Sequence, residues 1–165
     1  MRFDDLSDDD ARAVLLGCLS APDWAERVLA GRPFGTEAAL LGAADEAARD
    51  LSPGDVEAAL AGHPRIGERA ASGHNATASA KEQARVVSAG STDEERREVA
   101  ERLLEGNRSY EERFGHVFLI RAAGRTGPEI LAELERRLDN PPDAERAEML
   151  DNLRQIALLR LEDEV

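Results

Sequence analysis

The sequence predicts an all-α protein, a compact bundle of roughly eight helices in a single domain over residues 1–165. Aromatic residues make up only 4% of the chain while hydrophobic residues make up 42%, so the core must be mostly aliphatic, and alanine favours helices. Helix-capping signals recur along the chain. The one strand-like run, Phe118-Leu119-Ile120, is too short to found a sheet.

In the first half of the chain, helix starts are predicted after Ser7, near Trp24, after Thr36 and at Pro53. Ser7 precedes three aspartates, which suit the positive end of a helix dipole. Ser52 before Pro53 is typical of an N-cap followed by proline at the first helical position. We expect this fourth helix to end at Gly62 as a left-handed C-cap.

In the second half, a helix is predicted over about 76–89, ending at Gly90. Thr92 and Glu95 have the spacing of a capping box, which opens a long helix ending at Gly115. Further helices are predicted from Thr126 to Leu138 and over about 143–161.

The charge of the chain limits its partners. Lysine and arginine number 21 against 34 aspartate and glutamate, which gives a net charge of −13. Such a surface repels phosphate backbones, so we expect no nucleic-acid partner.

The chain has no apolar run of about 20 residues and no signal peptide, so we expect no membrane partner. A single cysteine, Cys18, allows no intrachain disulfide and fits a cytoplasmic location.

Few residues have the spacing of a catalytic or metal site. The histidines are His63, His74 and His116, and no pair has the i, i+4 spacing of a helical zinc site, so no metal is expected. Cys18 lies in an apolar helix and is interpreted as a buried structural thiol. His63 stands between Gly62 and Pro64, and this rigid loop could present an imidazole for acid–base chemistry. The alternative is a histidine that completes the end of the preceding helix.

Two other groups of polar residues are candidates. Ser79, Glu82 and Gln83 share one helix face, which fits either a ligand-binding face or an ordinary solvated one. Arg160 falls on the apolar side of the last helix, so it must either pair or reach a cavity. By contrast, Arg137 and Arg154 lie nearer the polar sides of their helices, and we expect them at the surface.

Three motifs occur in order along the chain: His63-Pro64-Arg65-Ile66-Gly67, then Ser79-x-x-Glu82-Gln83, then Asn107-x-x-Tyr110-x-x-x-Phe114-Gly115-x-x-Phe118-x-Ile120. Together they resemble the OHCU decarboxylases, which act on 2-oxo-4-hydroxy-4-carboxy-5-ureidoimidazoline. The resemblance covers nearly the whole chain. It implies an all-helical fold and cofactor-independent decarboxylation to (S)-allantoin, the last step from urate to allantoin. It also suggests a homodimer.

The resemblance also implies roles for particular residues. His63 would be the catalytic acid or base, and Glu82 would be its partner at the reacting centre. Ser79 and Gln83 would bind the polar edge of the substrate, and Pro64 would shape the pocket. Arg160 would hold anionic substrate charge. Backbone groups for the ring or ureido moiety would come from Phe118, Leu119, Ile120, Arg121 and Ala122.

Two alternatives remain open at this stage. The chain could be a catalytically silent interaction module of the same fold, although it retains His63, Glu82 and Gln83 together. It could also decarboxylate a related ureido acid.

Decarboxylation leaves an electron pair at carbon. Without a cofactor, that pair must move into the substrate's own C=N and C=O bonds. The enzyme then has to orient the carboxylate, exclude water and deliver a proton.

Overall fold

The computed structural model describes residues 2–63, 65–66 and 92–165, and within them it contains seven α-helices and no β-strand. The all-α prediction is therefore confirmed. The helix predicted over about 76–89 lies outside the described residues. A short 3₁₀ helix, Arg2–Asp5, comes first. The helices are α1 (Asp8–Cys18), α2 (Pro22–Leu29), α3 (Glu37–Ala48), α4 (Pro53–Ala61), α5 (Asp93–Phe114), α6 (Gly127–Leu138) and α7 (Pro142–Glu164).

Side-chain caps start five of these helices where the sequence predicts a start. In each case the hydroxyl oxygen accepts a hydrogen bond from the backbone N–H three residues later. Each such cap stabilises a helix by about 1 kcal/mol. At the other end of α5, the predicted end at Gly115 is confirmed, and Gly115 adopts the left-handed conformation with φ 79°. The capping residues are Ser7, Thr36, Ser52, Thr92 and Thr126.

The predicted left-handed cap at Gly62 is wrong. Gly62 is right-handed, with φ −82° and ψ −8°, and its N–H bonds to the carbonyls of both Ala58 and Ala59. The last turn of α4 tightens instead of reversing, which is the other common way to satisfy terminal carbonyls. A Cβ atom at this position would lie 3.4 Å from the Ser20 hydroxyl oxygen, an ordinary contact distance, so neither space nor backbone conformation requires glycine here.

Two apolar clusters form the core. The first joins α1, α2, α3 and α7, and its largest member is Trp24, whose indole N–H donates to the Ala44 carbonyl at 3.1 Å. The second lies between α5 and α6 and includes Tyr110. The segment between these helices joins the clusters, because Leu119 belongs to the first and Phe118 to the second. None of the described helices combines the length and apolarity needed to cross a membrane.

The surface prediction for Arg137 is wrong, whereas Arg154 keeps part of its side chain exposed. Arg137 is only 1% exposed and pairs with the fully buried Glu145 of α7. Arg154 is partly buried and bonds to Asp45 and Asp151, each at 2.6 Å. Helical periodicity places Arg137 near a polar face, but it cannot show that another helix covers that face.

Gly106 marks a tight contact between α5 and α6, where a Cβ atom would lie 2.5 Å from Cδ2 of the buried Leu134. Gly42 in α3 has open space around it. Gly→Ala adds about 1 kcal/mol of helix stability, but overpacking costs about 1–3 kcal/mol. We therefore expect Gly42→Ala to raise the free energy of unfolding. The free energy of unfolding of Gly106→Ala is expected to lie about 1–3 kcal/mol below that of Gly42→Ala. Urea denaturation measures both, and equal stabilisation by the two variants would contradict the contact.

Candidate functional site

The helix that precedes His63, α4, is fixed by a buried carboxylate. Asp55 in α4 is 3% exposed and accepts hydrogen bonds from the backbone N–H groups of Asp23 at 3.2 Å and Trp24 at 2.8 Å. It therefore satisfies two of the free N–H groups at the start of α2, at the positive end of that helix. The His63 N–H continues the last turn of α4 by bonding to the Leu60 carbonyl at 3.2 Å.

Side chains of α5 hold the loop that follows His63. The Asn107 amide donates to the Ile66 carbonyl at 3.2 Å, and the Arg65 guanidinium bonds both carboxylate oxygens of Glu111 at 2.8 and 2.9 Å. The first and third sequence motifs are thus in direct contact. The sequence analysis missed this role of Asn107, and one sequence carries no signal that pairs residues 41 positions apart.

His63 presents a buried ring nitrogen. Its Nε2 atom is buried, and among the described residues it has no hydrogen-bond partner. Burial and then the positive charge of Arg160 lower the pKa of His63 to about 3. The imidazole is therefore neutral near pH 7, and a buried polar atom without a partner is available to a ligand.

Arg160 comes from the last helix, α7, and is only 6% exposed. Its Nη1 group donates to the Cys18 carbonyl at the end of α1, at 3.4 Å. Burial raises the pKa of the Cys18 thiol to about 12, so the thiol stays protonated, as the structural interpretation of Cys18 requires. The predicted position of Arg160 on the inner side of α7 is confirmed.

The segment 118–122 is buried except for Arg121, which is partly exposed. Some of its backbone groups are already occupied by the protein. The Leu119 carbonyl accepts from Arg137 at 2.9 Å, the Arg121 N–H donates to the Asn152 side chain at 3.0 Å, and the Ala122 carbonyl accepts from the Arg125 N–H at 3.1 Å. A ligand would therefore have to use other backbone groups of this segment, such as those of Ile120.

The remaining predicted site residues, Pro64, Ser79, Glu82 and Gln83, lie outside the described residues. Across the described ranges, no group of three histidine, cysteine, aspartate or glutamate side chains is arranged to hold a metal ion. A separate open cleft of about 340 Å³ lies between α3, α4 and α7. Its cationic lining residues are Arg49, Arg146 and Arg154.

Comparisons with known proteins agree on one family. The family model described as OHCU decarboxylase matches residues 4–162. A 2-oxo-4-hydroxy-4-carboxy-5-ureidoimidazoline decarboxylase from Haloferax volcanii is 33% identical over 156 residues, 93% of this chain and 89% of that protein. The enzyme of the same name from Amia calva is 32% identical, over 86% of this chain and 79% of its own length.

Solved structures share the fold. One, described as OHCU decarboxylase in the presence of (S)-allantoin, has a TM-score of 0.76 at 23% identity and covers 96% of this chain and 98% of its own. A second, described as (S)-allantoin synthase, has a TM-score of 0.69 at 19% identity, over 99% of this chain and 53% of its own. The arrangement of α1–α7 is therefore that of these proteins.

The depressed pKa of His63 has a direct test. We expect no titration of its imidazole NMR signals between pH 8 and pH 5, because protonation near the ordinary 6.5 would place a charge in a buried site beside Arg160. His63→Gln identifies the signals by their loss. An NMR titration midpoint near pH 6.5 would contradict the buried site.

The same pKa difference makes stability depend on pH. The unfolded chain protonates His63 below about pH 6.5, while the folded chain protonates it only near pH 3, so His63 lowers the free energy of unfolding as pH falls from 6.5 to 3.

Proposed function

Because the chain belongs to the OHCU decarboxylase family, we propose that it decarboxylates 2-oxo-4-hydroxy-4-carboxy-5-ureidoimidazoline to (S)-allantoin, the final step from urate to allantoin. The proposed reaction uses no cofactor. The observation that supports it most strongly within the described residues is His63, a neutral imidazole whose Nε2 atom is buried without a partner and whose pKa is lowered by burial and by the buried Arg160.

In this proposal Arg160 binds the anionic charge of the substrate. Burial and then the charge of Arg160 lower the pKa of His63, and a substrate carboxylate held at Arg160 would offset the second of these causes and so raise that pKa in the complex. When the C–C bond breaks, CO2 leaves and the electron pair passes into the C=N and C=O bonds of the substrate. His63 then supplies or relays the proton that the carbon takes up, which fixes the product's configuration.

The residues outside the described ranges have roles proposed on the motif alone. Glu82 orients His63 and tunes its pKa at the reacting centre. Ser79 and Gln83 bind the polar edge of the substrate, and Pro64 shapes the pocket. The spacing Ser79-x-x-Glu82-Gln83 supports this assignment, because on a helix it would place all three side chains on one face.

The segment 118–122 is proposed as the wall that binds the ring or ureido moiety through its backbone. Its burial supports this role, since a site closed to water strengthens polar contacts with the substrate. We further propose a cytoplasmic homodimer with no nucleic-acid or membrane partner. The net charge of −13 supports the absence of nucleic acid, and light scattering with gel filtration tests the dimer.

Removing the imidazole tests the chemical role. The unstable substrate is generated in situ from urate with urate oxidase and the upstream hydrolase, and circular dichroism follows (S)-allantoin. We expect wild type to accelerate its formation and His63→Ala to lower kcat by about 10²–10⁴-fold, because an acid–base group is lost. Glu82→Ala is expected to fall in the same range.

The outcomes separate the alternatives. If the wild-type protein does not form (S)-allantoin faster than the spontaneous reaction, which gives a racemic product, two functions remain. The chain would then be a catalytically silent module or would act on a different ureido acid. If the wild type is active and His63→Ala keeps the full rate, the proposed mechanism is wrong but the activity stands.

Arg160 has a matched control on the same helix. Arg160→Met is expected to raise KM about 10–100-fold, because a charge-assisted hydrogen bond is worth roughly 1.5–3 kcal/mol. Arg146→Met changes an exposed arginine of α7 and should leave KM unchanged. Thermal unfolding checks that both variants fold. Equal KM values for the two variants would remove Arg160 from the site.

A further inference from the structure

A buried ion pair lies directly behind the segment 118–122. The Nε atom of Arg137 in α6 is 2.7 Å from the carboxylate of Glu145 in α7, and both side chains are almost completely buried. The Tyr110 hydroxyl donates to the same carboxylate at 2.9 Å, and the Asn140 amide reaches it at 3.3 Å. Glu145 thus has the hydrogen-bond donors that a buried carboxylate needs.

The same arginine also contacts the segment at two points. Its Nη1 group donates to the Leu119 carbonyl at 2.9 Å, and its guanidinium lies 4.6 Å from the centre of the Phe118 ring. Only a planar, forked group can bond a carboxylate through one nitrogen, a carbonyl through another and an aromatic ring through its face. Tyr110 contacts the Phe118 ring from its edge, with centroids 5.2 Å apart.

The buried pair is not the sole ion pair between α6 and α7 among the described residues. The exposed pair Arg136–Glu148 connects the same two helices at 2.6 Å. A buried ion pair is weak evidence for stability, because desolvation offsets its attraction and an apolar pair often replaces it without loss. What Arg137 adds is a fixed position for one backbone carbonyl and one ring of the segment.

We propose that Arg137 and Glu145 are positioning residues for substrate binding, a buried pair that fixes the Leu119 carbonyl and the Phe118 ring and so aims the segment 118–122 at the substrate. This inference rests on the proposed function, in which the segment contacts the substrate. Asn152 of α7 holds the next part of the segment through the Arg121 N–H. The segment is thus held by side chains of α6 and α7.

The test removes the network without leaving a buried charge. In Arg137→Met with Glu145→Leu and Tyr110→Phe, the core stays apolar while the Leu119 carbonyl loses its donor. We expect KM to rise about tenfold or more with a smaller change in kcat, because a shift of about 1 Å in a substrate contact can cost up to 10²-fold. The matched control, Arg136→Met with Glu148→Leu, removes the exposed pair and should leave KM unchanged.

A second variant guards against loss of folding. Arg137→Lys keeps a cation beside Glu145 but cannot make the forked contacts, so we expect it to fold and still raise KM. The proposal would be overturned if the triple variant folds and both it and Arg137→Lys have the same KM as the wild-type protein. An equal rise of KM in the Arg136 and Glu148 control would also overturn it, since helix docking alone would then explain the effect.

Amide hydrogen exchange without substrate separates this inference from the proposed function. We expect faster exchange at the amides of 119–122 in the triple variant, with unchanged exchange in α1 and α3. If wild type shows no decarboxylation, the proposed function fails, while faster exchange confined to the segment still supports the positioning role. Unchanged exchange at 119–122 in the triple variant would overturn that role whatever the activity.

Discussion

Burial of the His63 Nε2 atom, within the electrostatic reach of the Arg160 guanidinium, is the constraint on which the rest of the site depends. His63 follows the tightened end of α4, and Arg160 comes from the inner face of α7. Asp55 anchors α4 to the start of α2, and the Cys18 carbonyl, at the end of α1, accepts a hydrogen bond from Arg160. The first apolar cluster thereby sets the positions of both polar groups.

The molecule places cations inside a strongly acidic protein. With a net charge of −13, its overall field repels an anionic ligand, so attraction has to come from local guanidinium groups. The charge of Arg160 acts on His63 and lowers its pKa, while Arg137 pairs with Glu145 and contacts the segment 118–122. The Arg137–Glu145 pair is almost completely buried, so its charges are balanced inside the core.

Local signals in the sequence predicted most of the fold, and non-local contacts account for what they missed. Ser52 caps α4 through an atom three residues away, so the residue types alone suffice to predict it. The burial of Arg137 depends on Glu145 in another helix, and a glycine at a helix end does not by itself determine whether the last turn reverses or tightens, as it does at Gly62. Periodicity placed Arg160 correctly because the stripe on α7 continues on both sides of it.

A crystal structure of the protein with (S)-allantoin bound would test the central claim most directly. The account predicts the ligand within hydrogen-bond distance of His63 Nε2 and against the backbone of the segment 118–122. A ligand seated instead in the open cleft lined by Arg49, Arg146 and Arg154, with no contact to His63, would contradict it.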